Sequence, residues 1–157
     1  MNADIVSCSN LVLTHSLDSP MPITRFQFHL GKINTVAWNH TNKIIASAGE
    51  DCKIVFTPPD TVKKLDVFED IEEPSPIQSL SFTSKSDLLA AGCQNGSVKI
   101  WDLRKRELTA RFRSHSEQIN SITWSPIDSH IASASNTGDI ILHSMVTGSP
   151  VANFKQP

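Results

Sequence analysis

The sequence predicts an all-β chain built from repeated four-stranded antiparallel units. Three observations carry this. Segments 33–56, 77–100 and 119–142 align without gaps, and their aromatic anchors Trp38, Phe82 and Trp124 stand 44 and 42 residues apart. Short β-branched runs such as KIIASAGE, SVKI and IASAS recur between turns, the pattern of many short strands. A repeat of this length is a supersecondary unit that buries its faces against its neighbours.

Each copy reads as the same series of elements. Apolar residues that alternate with polar ones before the anchor, Ile33, Leu80 or Ile122 among them, give a first strand. Seven residues past each anchor, Ile45, Leu89 and Ile131 open a second strand of small residues, ASAG, AAGC and ASAS. Their short side chains let neighbouring units approach closely. A polar turn follows (Glu50-Asp51, Asn95-Gly96, Asn136-Thr137-Gly138), then a third strand with Ile54/Phe56, Val98/Ile100 and Ile140/Leu142 at period two. LDVF, LTARF and VANF supply a more variable fourth strand. Residues 4–28 read as the second, third and fourth strands of an earlier unit. The expected organisation is a partial unit over 4–28, lacking its first strand, and full units over 29–68, 74–113 and 115–154.

The 157 residues are 39% hydrophobic, which argues against wholesale disorder. Lys+Arg number 14 against 16 Asp+Glu, a formal charge of −2, so no overall positive excess suggests nucleic acid or an anionic membrane. Cys8, Cys52 and Cys93 contain no C-x-x-C pair; they make neither a disulfide framework nor a zinc site and point to a reducing, intracellular setting. No apolar run approaches the ~20 residues that cross a bilayer, and MNADIVSCSN lacks the parts of a secretory signal. A soluble, cytoplasmic protein is expected.

VKIWDLRKR, with Trp101-Asp102 closing a third strand, resembles the signature of the WD-repeat family. The resemblance covers nearly the whole chain and implies a partial WD-repeat β-propeller of about three and a half blades. In that family a His before the first strand, a Ser/Thr in the second, an Asp in the tight turn and a Trp ending the third strand form a buried hydrogen-bonded tetrad. Carried over, the first full unit offers His29, Ser47 and Asp51, with Thr57 at the Trp position. The second keeps Trp101 and has Asn95, with Glu73 and Ala91 in place of His and Ser. The third has His115 and Ser133, with Thr137 and His143 in the remaining places. Closed rings have roughly 4–8 blades, so half of a seven-bladed ring is expected, a fragment or a half-ring that self-associates through open blade faces.

Within the family, segment 98–149 is similar to the adaptors that bring γ-tubulin ring complexes to centrosomes and spindles. Its most distinctive stretch is HIASASNTGDIILHSMVTG, where His143-Ser144 replace Trp-Asp. This resemblance implies a non-catalytic scaffold in mitotic microtubule nucleation, located at the cytoskeleton, centrosome and spindle. Its partners would be proteins of the γ-tubulin machinery, with no nucleic acid, membrane or cofactor. Trp101-Asp102-Leu103-Arg104 also fits the W-D-x-R pattern of propellers that act as substrate receptors of cullin ubiquitin ligases, the alternative reading.

The charges are segregated. Residues 60–73 carry a net −4 and residues 99–113 a net +4. Arg104, Lys105, Arg106, Arg111 and Arg113 are therefore the partner-binding candidates, suited to an acidic protein surface; the plain alternative is a solvated edge whose charges block edge-to-edge pairing. Of Ser19, Ser75, Ser125 and Ser149, each followed by Pro, Ser75 beside the acidic segment is the phosphorylation candidate. The histidines show no metal-ligand spacing, and no G-x-S-x-G elbow, phosphate-binding loop or dinucleotide fingerprint is recognisable. No metal or catalytic residue is assigned, and Cys93 reads as a core thiol.

Overall fold

The repeated pattern folds into short antiparallel sheets in a computed structural model that describes residues 3–8, 10–16, 22–39, 41 and 43–155. Strands β1 (Ala3–Cys8), β2 (Leu11–Ser16) and β3 (Pro22–Phe26) form a three-stranded sheet. The second sheet contains β4 (Ile33–Asn39), β5 (Ile44–Gly49), β6 (Lys53–Thr57) and β7 (Asp66–Glu69). The third contains β8 (Ile77–Phe82), β9 (Leu88–Cys93), β10 (Ser97–Asp102) and β11 (Glu107–Arg113). The fourth contains β12 (Ile119–Trp124), β13 (His130–Ser135), β14 (Ile140–Ser144) and β15 (Ser149–Phe154). Strands pair in sequence order within each sheet, as short polar turns permit for antiparallel neighbours. The all-β expectation holds among the described residues.

The sheets stack face to face, with β1 against β4, β4 against β8, and β8 against β12. Each first strand drives its apolar residues into the face of the preceding sheet. Ile77 and Leu80 share one core cluster with Ala46, Ala48, Ile54 and Phe68, and Ile119 and Ile122 share another with Ala90, Val98 and Ile100. A smaller cluster joins Ile33 and Ile45 to Val12 and Phe26. Small side chains set the spacing: a Cβ added at Gly92 would lie 2.6 Å from Ile119 Cγ2. The proximity also allows polar bonds between sheets. Asn34 Nδ2 donates to the Ile77 carbonyl at 3.1 Å, and Trp124 Nε1 to the Ser81 carbonyl at 2.9 Å.

Burial reports which faces are covered. From its second residue onward β5 is buried on both faces, and so is β9. In β13, buried Ile131, Ser133 and Ser135 alternate with half-buried His130, Ala132 and Ala134, because no described element covers that second face. Along the register, Ala132-Leu142-Ala152 and Ala134-Ile140-Phe154 lie side by side there. The matching rows of the third sheet are Ala90-Ile100-Ala110 and Gly92-Val98-Phe112, and those rows belong to the cluster that receives β12. The fourth sheet thus presents the same surface with nothing against it among the described residues.

This difference is measurable by urea unfolding followed through tryptophan fluorescence. Gly92→Ala, which places a methyl against Ile119, should destabilise the chain by about 1–3 kcal/mol. Ala134→Leu at the matching place on the uncovered face should stay within about 0.5 kcal/mol of the parent. Equal losses would contradict the packing described.

Candidate functional site

The turns at one end of the stacked sheets carry three equivalent polar clusters, and each solves the same burial problem with different residues. In the second sheet, His29 is 3% exposed. Its Nδ1 donates to the Asp51 carboxylate at 2.9 Å, and its Nε2 lies 2.8 Å from Ser47 Oγ. Asp51 also accepts from the Leu30 and Lys53 amides at 3.2 and 3.3 Å, so the β5–β6 turn fixes the carboxylate that orients the imidazole. Thr57 is buried at the fourth place. The arrangement satisfies both ring nitrogens, which a buried imidazole requires.

The third sheet departs from this. Ala91 supplies no hydroxyl, and Trp101 Nε1 is buried with no partner among the described residues. The ring packs instead against Phe68, with centroids 5.4 Å apart. Asn95 turns inward on its own loop, accepting from the Ser97 amide at 3.1 Å and the Ser97 hydroxyl at 2.6 Å, and its Nδ2 donates to Glu73 Oε1 at 3.4 Å. The buried polar group here is Lys99, on β10 where the neighbouring sheets have Val55 and Ile141. Its ammonium donates to the Glu73 carbonyl and pairs with Asp70 Oδ2 at 2.8 Å. Arg111 grips the same carboxylate through Nη2 at 2.7 Å and Nε at 3.1 Å. Burial alone would push the Asp70 carboxyl up, but hydrogen bonds from Lys99, Arg111 and the Glu73 amide outweigh it and hold the pKa at about 2. Sequence reading missed Lys99; the signal was a lysine inside the apolar run VKIW, cross-strand from an alanine where both other sheets have serine.

In the fourth sheet, His115 Nε2 lies 2.8 Å from Ser133 Oγ. Thr137 occupies the place of Asp51 and bonds Ser135 at 2.7 Å instead, which leaves His115 Nδ1 buried with no partner among the described residues. His143, 2% exposed, meets Ser114 Oγ at 2.9 Å through Nε2 and stacks on Phe112 at 5.4 Å. Its Nδ1 also lacks a partner among the described residues. Burial pushes both imidazoles below the ordinary histidine value; Asp139 and Ser133 partly offset this at His115, whereas the neighbouring His115 adds to it at His143.

The basic candidates divide in two. Arg111 and Arg113 both meet the chain's own acidic segment, although the Arg113 side chain stays 80% exposed. The 70–76 connection brings the chain's own acidic segment onto β10 and β11, so Arg111 is held by Asp70 and Arg113 by Glu73 at 2.8 Å. Arg106 pairs with Asp66 at 2.7 Å. Lys105 stands 3.8 Å from Glu107 with both side chains exposed, a contact of little weight. Arg104 has no ion pair among the described residues. Both backbone amides, of Arg104 and Lys105, donate to Asp102 Oδ1 at 2.9 Å, an Asx turn that presents the two side chains at the far end of β10 from the clusters. Ser75 is 5% exposed, and its hydroxyl accepts from the Asn95 amide at 3.2 Å. Ser19 lies outside the described residues.

Comparison with known proteins accords with this architecture. The family described as the anaphase-promoting complex subunit 4 WD40 domain matches residues 61–126, and the WD domain, G-beta repeat, matches residues 20–56. Human Protein NEDD1 is 28% identical over 115 residues, 73% of this chain and 17% of its own length. Retinoblastoma-binding-like protein E of Dictyostelium discoideum is 32% identical over 96 residues, 56% of this chain and 18% of its own. The anaphase-promoting complex subunit cdh1 of the same organism is 27% identical over 128 residues, 81% of this chain and 16% of its own. The chain spans less than a fifth of the length of each of these relatives.

Removing one member of the buried ion network should be costly. Lys99→Met is expected to lower stability by about 3 kcal/mol, and adding Asp70→Leu should recover part of the loss, because the desolvated carboxylate then disappears too; urea denaturation of both variants checks this. The two depressed histidines set a pH dependence. Below about pH 6.5 the unfolded chain takes up protons that the folded chain refuses, so stability is full above that pH and declines below it. Thermal melts between pH 7.5 and about 5 should show the decline, and His143→Phe should flatten part of it. The loss from Asp70 lies lower, between its ordinary value of 3.8 and about 2.

Proposed function

The chain belongs to the WD-repeat family, and from that premise we propose that it is a non-catalytic protein-interaction scaffold targeting γ-tubulin complexes to centrosome and spindle microtubules for nucleation in mitosis. The reading is supported by the segment 98–149, with its HIASASNTGDIILHSMVTG stretch, and by the similarity to human Protein NEDD1. The observation that carries its physical side is the exposed Arg104-Lys105 turn. These two cations are not consumed by the internal pairing that binds Arg106, Arg111 and Arg113, and exposed rim charges steer encounter with acidic protein surfaces. The uncovered face of Ala132, Ala134 and Leu142 is a second contact surface, suited to self-association or to further repeats. The exposed guanidinium of Arg104 also favours a second reading, a substrate receptor of a cullin ubiquitin ligase, because that residue ends the W-D-x-R pattern.

The test is charge reversal at this exposed pair. Arg104→Glu with Lys105→Glu should lower spindle-pole recruitment of the protein severalfold and leave its thermal midpoint within about 2 °C. Unchanged recruitment would overturn the role of this turn. Intact recruitment with lost association to a ubiquitin-ligase adaptor would select the receptor reading.

A further inference from the structure

We propose that Ser116, in the connection between the third and fourth sheets, is a phosphoacceptor for an arginine-directed protein kinase, with Arg113 as the residue that such a kinase reads. Three of the chain's five arginines, Arg106, Arg111 and Arg113, stand three residues before Thr109, Ser114 and Ser116. Arg104 and Arg111 stand five residues before Thr109 and Ser116. Kinases of this class bind a guanidinium upstream of the acceptor in carboxylate-lined subsites, through the paired donors that lysine lacks. The linear sequence therefore offers three acceptors, and the fold separates them.

Two of them are withdrawn. Thr109 lies inside β11, where its hydroxyl donates to the Ile100 carbonyl at 3.1 Å, and its upstream Arg106 is paired with Asp66 at 2.7 Å. Ser114 Oγ meets Nε2 of buried His143 at 2.9 Å, and its upstream Arg111 is gripped by the Asp70 carboxylate with only 26% of the side chain exposed. Ser116 differs on both counts. It is exposed, it belongs to the 114–118 segment between β11 and β12, and its hydroxyl makes no hydrogen bond among the described residues. Arg113 ends β11 with its side chain 80% exposed. Among the described residues Glu73 engages it through Nη2 alone, at 2.8 Å, so Nε and Nη1 remain for a kinase carboxylate. The Gly96 carbonyl accepts from the Ser114 and His115 amides at 3.3 and 3.1 Å, which tethers the connection over the β9–β10 turn and leaves Ser116 and Glu117 exposed at the bend. In the transfer, Ser116 Oγ bonds to the γ-phosphorus of ATP as the bond to the bridging oxygen breaks; ADP leaves, and the hydroxyl proton passes to the kinase's catalytic carboxylate. The product adds about −1.5 to −2 charge at the end of the sheets that carries the His29, Asp70 and His115 clusters.

The probe is the catalytic subunit of cAMP-dependent protein kinase with Mg-ATP, and the modified sites are read by mass spectrometry on the 157-residue chain and on a free peptide of residues 103–120. In the chain, Ser116 should take most of the phosphate. In the peptide, Thr109 and Ser114 should take it as well, since neither the strand nor His143 holds them there. Arg113→Ala should slow modification of Ser116 in the chain about tenfold, the loss of one charge-assisted contact, and leave the thermal midpoint within about 2 °C of the parent. Arg113→Lys keeps a charge for Glu73 but loses the planar fork, so it should slow the reaction too. Arg106→Ala should leave the Ser116 rate unchanged. No phosphate on Ser116 of the chain, the same distribution of sites in chain and peptide, or an unchanged Ser116 rate in both Arg113 variants would each overturn the inference.

Discussion

The structure depends on how closely its sheets approach one another. Ala46, Ala48, Ala90 and Ala91 are fully buried, and at Gly92 even one carbon would collide with Ile119. Small residues on the second strand of the second and third sheets make room for the branched residues of the next first strand, and the core is divided into clusters that lie between sheets rather than inside one layer. Stability is therefore shared between neighbours, in the manner of repeat proteins. Leu89 and Ile131 repeat this logic at the head of β9 and β13, each fully buried against the preceding sheet's face.

That spacing forces polar groups at the sheet ends out of water, and three solutions follow. The second sheet satisfies a buried imidazole on both nitrogens. The third replaces the serine and histidine by Ala91 and Glu73 and fills the space with Lys99, whose charge is answered by Asp70 and reinforced by Arg111. The fourth keeps His115 and Ser133 but has threonine where the carboxylate stood, so an imidazole nitrogen is left without a partner among the described residues, and burial pushes the ring below the ordinary histidine value. One architecture thus carries a fully bonded imidazole, an ion network and a half-satisfied pair, and the last two answer to different pH ranges.

Much of this was legible in the sequence. The gapless repeat, the anchors and the small-residue strands pointed to stacked antiparallel sheets because period and residue size act locally. The His29-Ser47-Asp51 cluster was legible for the same reason, each member sitting at a fixed offset from its strand. The ion network was not. Asp70, Lys99 and Arg111 lie far apart in sequence, and net charge over a segment does not say whether two opposite segments face solvent or each other. The folded chain brings residues 66–73 onto β10 and β11, where they meet Arg106, Arg111 and Arg113, and leaves Arg104 and Lys105 without a partner from that segment. Ser75 is a similar case, since its burial follows from the path of the 70–76 connection over the β9–β10 turn.

Binding function then follows from what the packing leaves over. The core and the end clusters use most of the polar and apolar groups of the second and third sheets, and what remains is an exposed basic turn and, among the described residues, the uncovered face of the fourth sheet. The central claim is that coverage by neighbouring sheets, rather than hydrogen bonding within a sheet, sets local stability. Native-state hydrogen exchange of the 157-residue chain tests it most directly. The account predicts that amides of β5 and β9 exchange only through global unfolding, while the equally well-paired amides of β13 and β14 exchange through cheaper local opening. Uniform protection across the second, third and fourth sheets would contradict it.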